Sequence, residues 1–169
     1  MKGKTILITG ATSGIGEGCA RKFAAMGSRL ILNGRNTEKL ESLKQELEKT
    51  GTEVVTLPFD VRNREEMRNA IDSLQGEWKN IDVLINNAGL VLGIDKEHEG
   101  SLDEWDVVID TNIKGLLAMT RMIVPGMVER GCGHIINIGS IAGDAAYAGG
   151  SVDQGCGKST VGRTTYRPC

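Results

Sequence analysis

The sequence predicts an α/β fold in which helices cover both faces of a parallel sheet, and three observations support this. Short apolar runs of strand length occur at 5–9, 28–34, 53–58, 81–85 and 134–138. Segments of helical period separate these runs, as is typical of crossover connections between parallel strands. Glycine-rich or polar motifs follow the runs, as expected where the carboxyl ends of strands form a binding edge.

Right-handed crossovers favour the strand order 3-2-1-4-5, which is that of a Rossmann-type, doubly wound sheet. The switch point of this order lies between the first and fourth strands. Ligands bind beyond the carboxyl ends of the strands at such a point. We therefore expect the motifs that follow the strands to meet at one site.

The first strand, 5–9, is followed by a glycine motif and then by a helix. The glycines are Gly10, Gly14 and Gly16. The helical face is predicted to comprise Ile15, Cys19, Phe23 and Met26. A glycine turn between a strand and a helix brings backbone N–H groups and the positive helix end to a phosphate. The alternative interpretation is a simple tight turn.

The next helices are predicted at 37–49 and 64–74. In the first, Thr37 is a plausible N-cap, and the apolar stripe consists of Leu40, Leu43 and Leu47. After the fourth strand, Ser101 and Asp103 are candidate caps of a long helix. That helix is expected to continue to about residue 129, with a break near Thr111.

Length and composition limit the possible classes of protein. The 169 residues correspond to one domain, and the net charge of −2 provides no basic surface for nucleic acid. No apolar run approaches the ~18 residues of a membrane span, and the first strand begins too early for a signal peptide. A cytoplasmic location is therefore expected. The cysteines fit no metal or disulfide spacing, and Cys19 and Cys132 are expected to be reduced.

The end of the second strand bears on the choice of nucleotide. A protein that binds NAD places a carboxylate there for the ribose 2′-hydroxyl. This sequence has Gly34-Arg35-Asn36 instead. The Arg35 guanidinium suits a 2′-phosphate, so NADP is predicted as the cofactor. The alternative is that Arg35 is a solvated surface charge.

Together these motifs resemble the short-chain dehydrogenase/reductase family over residues 1 to about 152. The matching residues are 9–16 (TGATSGIG), Asp60-Val61, 86–89 (NNAG), Asn112 and Ser140. Further stretches (NNAGLVLG, MTRMIVPGMVERGCGHIINIGSIAG and YAGGSV) are similar to the bacterial NADP-dependent 3-hydroxy acid dehydrogenases within that family. The resemblance implies oxidation of a 3-hydroxy acid such as serine or allo-threonine, or reduction of the matching 3-oxo acid or semialdehyde. It also implies a homo-oligomer.

The resemblance assigns a role to each candidate site residue. The expected cofactor contacts are Gly10, Thr12, Ser13, Gly14, Ile15, Arg35, Asn36, Asp60, Val61, Asn87, Ala88 and Gly89. Asp60 would bond the adenine amino group or cap the following helix, and Asn86 would tie adjacent strands together. Asn112 would hold a water of a proton relay or mark a kink. Ser140 would hydrogen-bond the substrate oxygen.

The sequence departs from the family at the proton donor. The family has a tyrosine followed four residues later by a lysine, but here the expected positions are Asp153 and Gly157. A carboxylate that is ionised at neutral pH cannot donate a proton to a developing alkoxide. Impaired catalysis is therefore expected. The later GCGKST does not satisfy a phosphate-binding P-loop, because position 152 is valine and no strand precedes it.

A shift of reading frame accounts for the tail, 153–169. Codons for 153–157 can be read one base later as Thr-Lys-Ala-Ala-Val, and those for 164–168 can be shifted to Leu-Arg-Thr-Asp-Leu. Both resemble the continuation of the family. We expect a Rossmann domain at 1–152 that is truncated after the fifth strand, and an aberrant, disordered tail at 153–169. The fifth strand would then be an exposed, aggregation-prone edge.

Overall fold

A computed structural model describes residues 1–93, 95–96 and 98–140, together with the backbone of 164–166. The first five strands form a parallel sheet in the order β3-β2-β1-β4-β5, which confirms the predicted fold and strand order. They are β1 Thr5–Ile8, β2 Arg29–Gly34, β3 Val54–Pro58, β4 Val83–Asn86 and β5 Gly133–Asn137.

A sixth strand, β6, comprises Thr164–Tyr166 and lies antiparallel along β5. Gly133 is paired with Tyr166, and Ile135 with Thr164. The prediction that β5 is an uncovered edge is therefore wrong over residues 133–135. The predicted disorder of the tail otherwise falls on residues outside the described part of the chain.

Helices connect the parallel strands. They are α1 Gly14–Ala25, α2 Thr37–Glu48, α3 Arg64–Asp72, α4 Leu102–Ile109 and α5 Leu116–Glu129, with a short 3-10 turn at Gly76–Lys79. A π-helical segment, Asp110–Gly115, joins α4 to α5, so the predicted break near Thr111 is confirmed. Within the described residues, no helix combines the length and apolarity that a membrane span needs.

Side-chain caps define where three of these helices begin. The Asn36 side chain accepts a hydrogen bond from the Lys39 backbone N–H at 2.9 Å, so Asn36, and not Thr37, is the N-cap of α2. Ser101 caps α4 as predicted, by accepting from the Glu104 N–H. Asn63 caps α3, which removes the helix-cap interpretation of Asp60.

The alternating side chains of the strands fill two core layers. Ile6 and Ile8 of β1 pack with α1 and α2 on one face, whereas Leu7 packs with α3 and α5 on the other. Both faces of the sheet are thus covered, as the apolar runs predicted.

The buried face of α1 differs from the predicted one. Ile15 is 61% exposed and Met26 is also exposed, whereas Gly16, Ala20 and Ala24 are buried. Cys19 and Phe23 are partly buried at the edge of this face. Small residues allow α1 to approach the sheet closely, and that approach positions the glycine turn.

The two cysteines with a sequence-based prediction have different outcomes. Cys19 is a free thiol, as expected, and its partial burial raises its pKa. Cys132 is disulfide-bonded, so the expectation that it is reduced is wrong.

Candidate cofactor-binding site

A cavity of about 460 Å³ lies beyond the carboxyl ends of the parallel strands. Segments that follow β1, β2, β3, β4 and β5 all contribute to its wall, and the π-helical segment closes one side. Cavities at this edge, next to the switch point between β1 and β4, are the usual ligand sites of doubly wound sheets.

Every candidate site residue in the described part of the chain, apart from Asn36, lines this cavity. The lining candidates are Gly10, Thr12, Ser13, Gly14, Ile15, Arg35, Asp60, Val61, Asn87, Ala88, Gly89, Asn112 and Ser140. Asn36 instead caps α2. Asp153 and Gly157 lie outside the described residues, as does the rest of the segment where the family has its tyrosine and lysine.

At two positions the glycine turn fits so tightly against its surroundings that no side chain can be accommodated, namely Gly10 and Gly16. Gly10 has a φ of +65°, and a Cβ there would lie 2.9 Å from Ala88 Cα. A Cβ on Gly16 would collide with the Gly10 carbonyl oxygen and with Asn87 Nδ2. Ser13, at the N-cap of α1, makes no side-chain cap. The N-terminus of α1 thus lines the cavity without a side-chain cap from Ser13, an arrangement that suits an anion.

Thr9 fastens β1 to the loop that follows β4. Its hydroxyl oxygen accepts hydrogen bonds from the backbone N–H groups of Asn87 and Ala88, both at 3.0 Å. In return, Asn87 Nδ2 donates to the carbonyl oxygens of Thr9 and Gly10 at 3.0 and 3.1 Å. These bonds set the width of the cavity at the switch point. Thr9 carried no predicted role of its own, although a hydroxyl at the end of an apolar strand was a usable signal.

Asn33 plays a similar part between β2 and β3. Its side-chain amide is buried and donates to the carbonyl oxygens of Leu57 and Phe59, both at 3.0 Å. The backbone carbonyl oxygen of Asn33 accepts a hydrogen bond from the Ala11 N–H at 2.8 Å. Asn33 thereby positions the end of β3, which carries Asp60, beside the glycine turn.

Two arginines bracket the Asp60 carboxylate. Arg62 Nη2 lies 2.6 Å from Asp60 Oδ2, and Arg62 Nε lies 3.0 and 3.1 Å from the two carboxylate oxygens. Arg35 Nη1 is more distant, at 3.9 Å. The Arg62 hydrogen bonds are the main cause that lowers the pKa of Asp60 below its usual range. Asp60 is therefore ionised at neutral pH.

Asn112 fastens the loop after β4 to the π-helical segment. Its Oδ1 accepts the Leu90 N–H at 2.9 Å, and its Nδ2 donates to the Leu90 carbonyl oxygen at 2.8 Å. The kink expected at Asn112 is thus present. Its side chain thereby holds the loop against the segment.

Asn86 ties neighbouring elements together, as expected. Its Nδ2 donates to Asn137 Oδ1 on β5 at 2.9 Å and to Thr120 Oγ1 on α5 at 3.0 Å. Asn86 is buried and also contributes to the cavity wall. The strands on the Ser140 side are therefore held in register by side chains as well as by the ladder.

The sheet order, the tight glycine turn and the cavity at the switch point define a Rossmann-type nucleotide-binding domain. The profile of the short chain dehydrogenase family matches residues 4–159. This chain belongs to that family.

Individual relatives share much of this sequence. An "NADP-dependent 3-hydroxy acid dehydrogenase YdfG" of Salmonella typhi is 52% identical over 147 residues, which are 87% of this chain and 58% of the relative. "Sulfoacetaldehyde reductase 2" of Chromohalobacter salexigens is 42% identical over 95% of this chain and 64% of its own length. The chain thus spans less than two thirds of these relatives.

Two solved structures are also similar to this chain. Serine dehydrogenase from Escherichia coli has a TM-score of 0.85 and 48% identity, over 92% of this chain and 70% of that one. A closed form of serine dehydrogenase complexed with NADP+ has a TM-score of 0.86 and 48% identity, over 92% of this chain and 61% of that one.

Proposed function

We propose that this chain is the nucleotide-binding part of an NADP-dependent oxidoreductase. Its reaction interconverts a 3-hydroxy acid and the corresponding 3-oxo acid or semialdehyde. The observation that carries the proposal is the cavity at the switch point, which has a glycine turn at its base and Arg35, with no carboxylate beside it in sequence, at the end of β2. The similarity to a 3-hydroxy acid dehydrogenase and to a serine dehydrogenase supports the substrate class.

The described residues fit NADP along the length of the cavity. The turn around Gly10 and Gly14 would hold the pyrophosphate at the N-terminus of α1. Arg35 would hold the 2′-phosphate, and Asp60 and Val61 would contact the adenine. Segment 87–89 would line the ribose of the nicotinamide, because it lies on the opposite side of the glycine turn from Arg35 in the strand order.

Bound NADP supplies the hydride acceptor or, as NADPH, the hydride donor. Ser140, at the end of the β5 segment, would hydrogen-bond the reacting oxygen of the substrate. The proton of that oxygen needs a group that can hold it at neutral pH. Asp153 and Gly157 occupy the expected tyrosine and lysine positions, and an ionised carboxylate is a poor donor. We propose that turnover by this chain is impaired.

The second candidate is a non-catalytic NADP-binding or defective chain. The absence of any Tyr-x-x-x-Lys sequence favours this candidate. We propose that the tail arose by a shift of reading frame after a short deletion. Sequencing the gene tests this origin: a shifted frame that does not continue as a dehydrogenase contradicts it.

Binding and turnover separate the two candidates. NADPH binding is measured by fluorescence, and NADPH consumption is followed with 3-oxo acids and semialdehydes. We expect the unmodified chain to bind NADPH with little turnover. The double variant Asp153→Tyr, Gly157→Lys is expected to gain activity, whereas the matched control Asp153→Phe, Gly157→Lys lacks the phenolic proton and should not. Rapid turnover by the unmodified chain would refute the proposed impairment, and no binding would refute the cofactor.

A further inference from the structure

The adenosine end of the cavity carries one positive and one negative side chain. Among the described lining residues, Arg35 and Asp60 are the ionisable ones at that end. Arg35 Nη1 lies 3.9 Å from Asp60 Oδ2, and the Arg35 side chain is 66% exposed. Left to themselves the two would pair and present almost no net charge to an incoming phosphate. A 2′-phosphate would then have to compete with Asp60 for Arg35.

Arg62 changes this balance from outside the cavity wall. Its guanidinium engages both oxygens of Asp60, with Nη2 2.6 Å from Oδ2 and Nε 3.0 Å from Oδ1. The Arg62 backbone N–H donates to Oδ1 as well, at 3.0 Å. This two-pronged contact is much closer than that of Arg35, so Asp60 is paired with Arg62. Arg35 keeps its charge available toward the cavity.

The charges around Arg62 leave this pairing intact. Asp110, at the start of the π-helical segment, also attracts the Arg62 guanidinium. Asp110 is in turn paired with Lys114 at 2.7 Å, so its negative charge is largely balanced. The charges of Arg35, Asp60 and Arg62 therefore sum to +1, and Arg35 is the positive member of the three that lines the cavity.

We propose that Arg62 is a positioning residue that sets the preference of this site for a 2′-phosphorylated adenosine, by neutralising Asp60 and leaving Arg35 to the phosphate. This inference rests on the proposed cofactor. A phosphate monoester carries close to two negative charges at neutral pH. An unpaired Asp60 repels this phosphate, and an unpaired Arg35 attracts it. Loss of Arg62 therefore weakens binding of the phosphate in two ways: it exposes the charge of Asp60, and it lets Asp60 pair with Arg35. An adenosine without the 2′-phosphate is affected much less, because it places no phosphate beside these two charges.

The test compares two ligands by calorimetry: adenosine 2′,5′-bisphosphate and adenosine 5′-monophosphate. Arg62→Gln should lower the affinity for the bisphosphate by about tenfold or more, and the affinity for the monophosphate by less than about threefold. Asp60→Asn removes the competing charge, so adding Arg62→Gln to it should cause little further loss of preference. Arg62→Lys keeps the charge without the two-pronged contact and should retain an intermediate preference. Exposed Arg64, which does not bond Asp60, gives the control variant Arg64→Gln with the same change of charge.

Several results would overturn the inference. The first is an equal loss of affinity for both ligands in Arg62→Gln. The second is a loss of preference for the bisphosphate that Arg62→Gln still causes in full when Asp60→Asn is present. The third is a loss of preference in Arg64→Gln as large as that in Arg62→Gln. Thermal melting of each variant shows whether it is folded, and Arg62→Lys provides the comparison if Arg62→Gln is not. A wild-type chain without preference for the bisphosphate also overturns it. Failure of turnover alone contradicts only the proposed enzymatic activity.

Discussion

Gly16 shapes the cavity because it has no Cβ. It is buried at the start of α1, directly against the Gly10 carbonyl oxygen and the Asn87 side-chain amide. Both of these groups belong to the wall that separates the turn after β1 from the loop after β4. Any side chain at this position must push the helix away from the sheet.

We predict that Gly16→Ala destabilises the fold by about 1–3 kcal/mol, because the added methyl group overpacks a backbone contact. It should also weaken NADPH binding, since the glycine turn must move. Gly18 lies in the same helix, and a Cβ there meets nothing within 4 Å. The control Gly18→Ala should therefore stabilise α1 by up to about 1 kcal/mol. Urea unfolding of both variants checks this, and equal behaviour of the two would contradict the close packing at Gly16.

Asp60 makes a pH-dependent contribution to stability. Its pKa in the folded chain is lowered, chiefly by the Arg62 hydrogen bonds. A lowered pKa means that the stabilisation is complete above the ordinary carboxyl range and is lost as the pH falls through the folded-state pKa. We predict that the difference in free energy of unfolding between wild type and Asp60→Asn is constant above about pH 5 and shrinks below about pH 4.

Carboxyl NMR titration and acid unfolding measure this effect. In Arg62→Gln the pKa of Asp60 should rise toward its ordinary value, because the principal donor is gone. Arg64→Gln should leave the titration of Asp60 nearly unchanged. An unaltered Asp60 titration in Arg62→Gln would show that Arg62 is not the cause of the shift.

At the residue scale, a residue could be assigned to the site from the sequence where its place in the fold follows a general rule. Arg35 could be placed because the end of β2 has a fixed relation to the ribose in this fold. Arg62 could not, because its contact depends on a guanidinium folding back onto a residue two positions earlier in a loop. Asn33 carried no prediction, because a single amide within an apolar strand does not indicate which partners it will bond. Only the structure shows that its amide holds the end of β3.

At the scale of elements, the π-helical segment Asp110–Gly115 brings the junction of α4 and α5 to the site. It places Asn112 beside Leu90 and Gly115 against Val61, where a Cβ would lie 2.9 Å from Val61 Cγ2. The segment thus holds both the β3 and the β4 sides of the cavity. The break was predictable near Thr111, but its π-helical form has no local sequence signal.

We predict that Asn112→Ala lowers the free energy of unfolding by about 1–3 kcal/mol, because it leaves the N–H and carbonyl of Leu90 without their partner. Hydrogen exchange at the Leu90 amide should accelerate more than exchange in β1. Asn112→Asp keeps the acceptor but not the donor, and should fall between wild type and Asn112→Ala. Exposed Asn69 of α3 gives the control Asn69→Ala. Unchanged Leu90 exchange in Asn112→Ala would contradict this role for the side chain.

The edge of the sheet shows what pattern-based prediction misses. β5 was predictable from its apolar residues, and its position from the handedness of crossovers. β6 was not, because 153–169 has no periodicity from which a strand could be inferred. Its antiparallel pairing along residues 133–135 covers backbone groups of β5 that a parallel five-stranded sheet would leave open.

At the scale of the whole molecule, the cavity joins elements from both halves of the sheet. The glycine turn and Arg35 follow β1 and β2, and the opposite wall follows β4 and β5. The two core layers lie on opposite faces of these strands. A ligand that bridges this cavity therefore contacts segments that separate when the sheet unfolds, so binding and global stability must be coupled.

We predict that NADPH at about 100 times its dissociation constant stabilises the chain by about 2.7 kcal/mol, which corresponds to roughly 5–10 °C in the melting temperature for a domain of this size. NADH at the same concentration should raise the melting temperature by less, because NADH has no 2′-phosphate to bind Arg35. The melting temperature is measured by calorimetry across a concentration series of each nucleotide. Gly16→Ala should show a smaller shift with NADPH, and Gly18→Ala an unchanged one. An equal rise with NADH and NADPH would contradict the role of Arg35, and no rise with either would contradict nucleotide binding at the switch point.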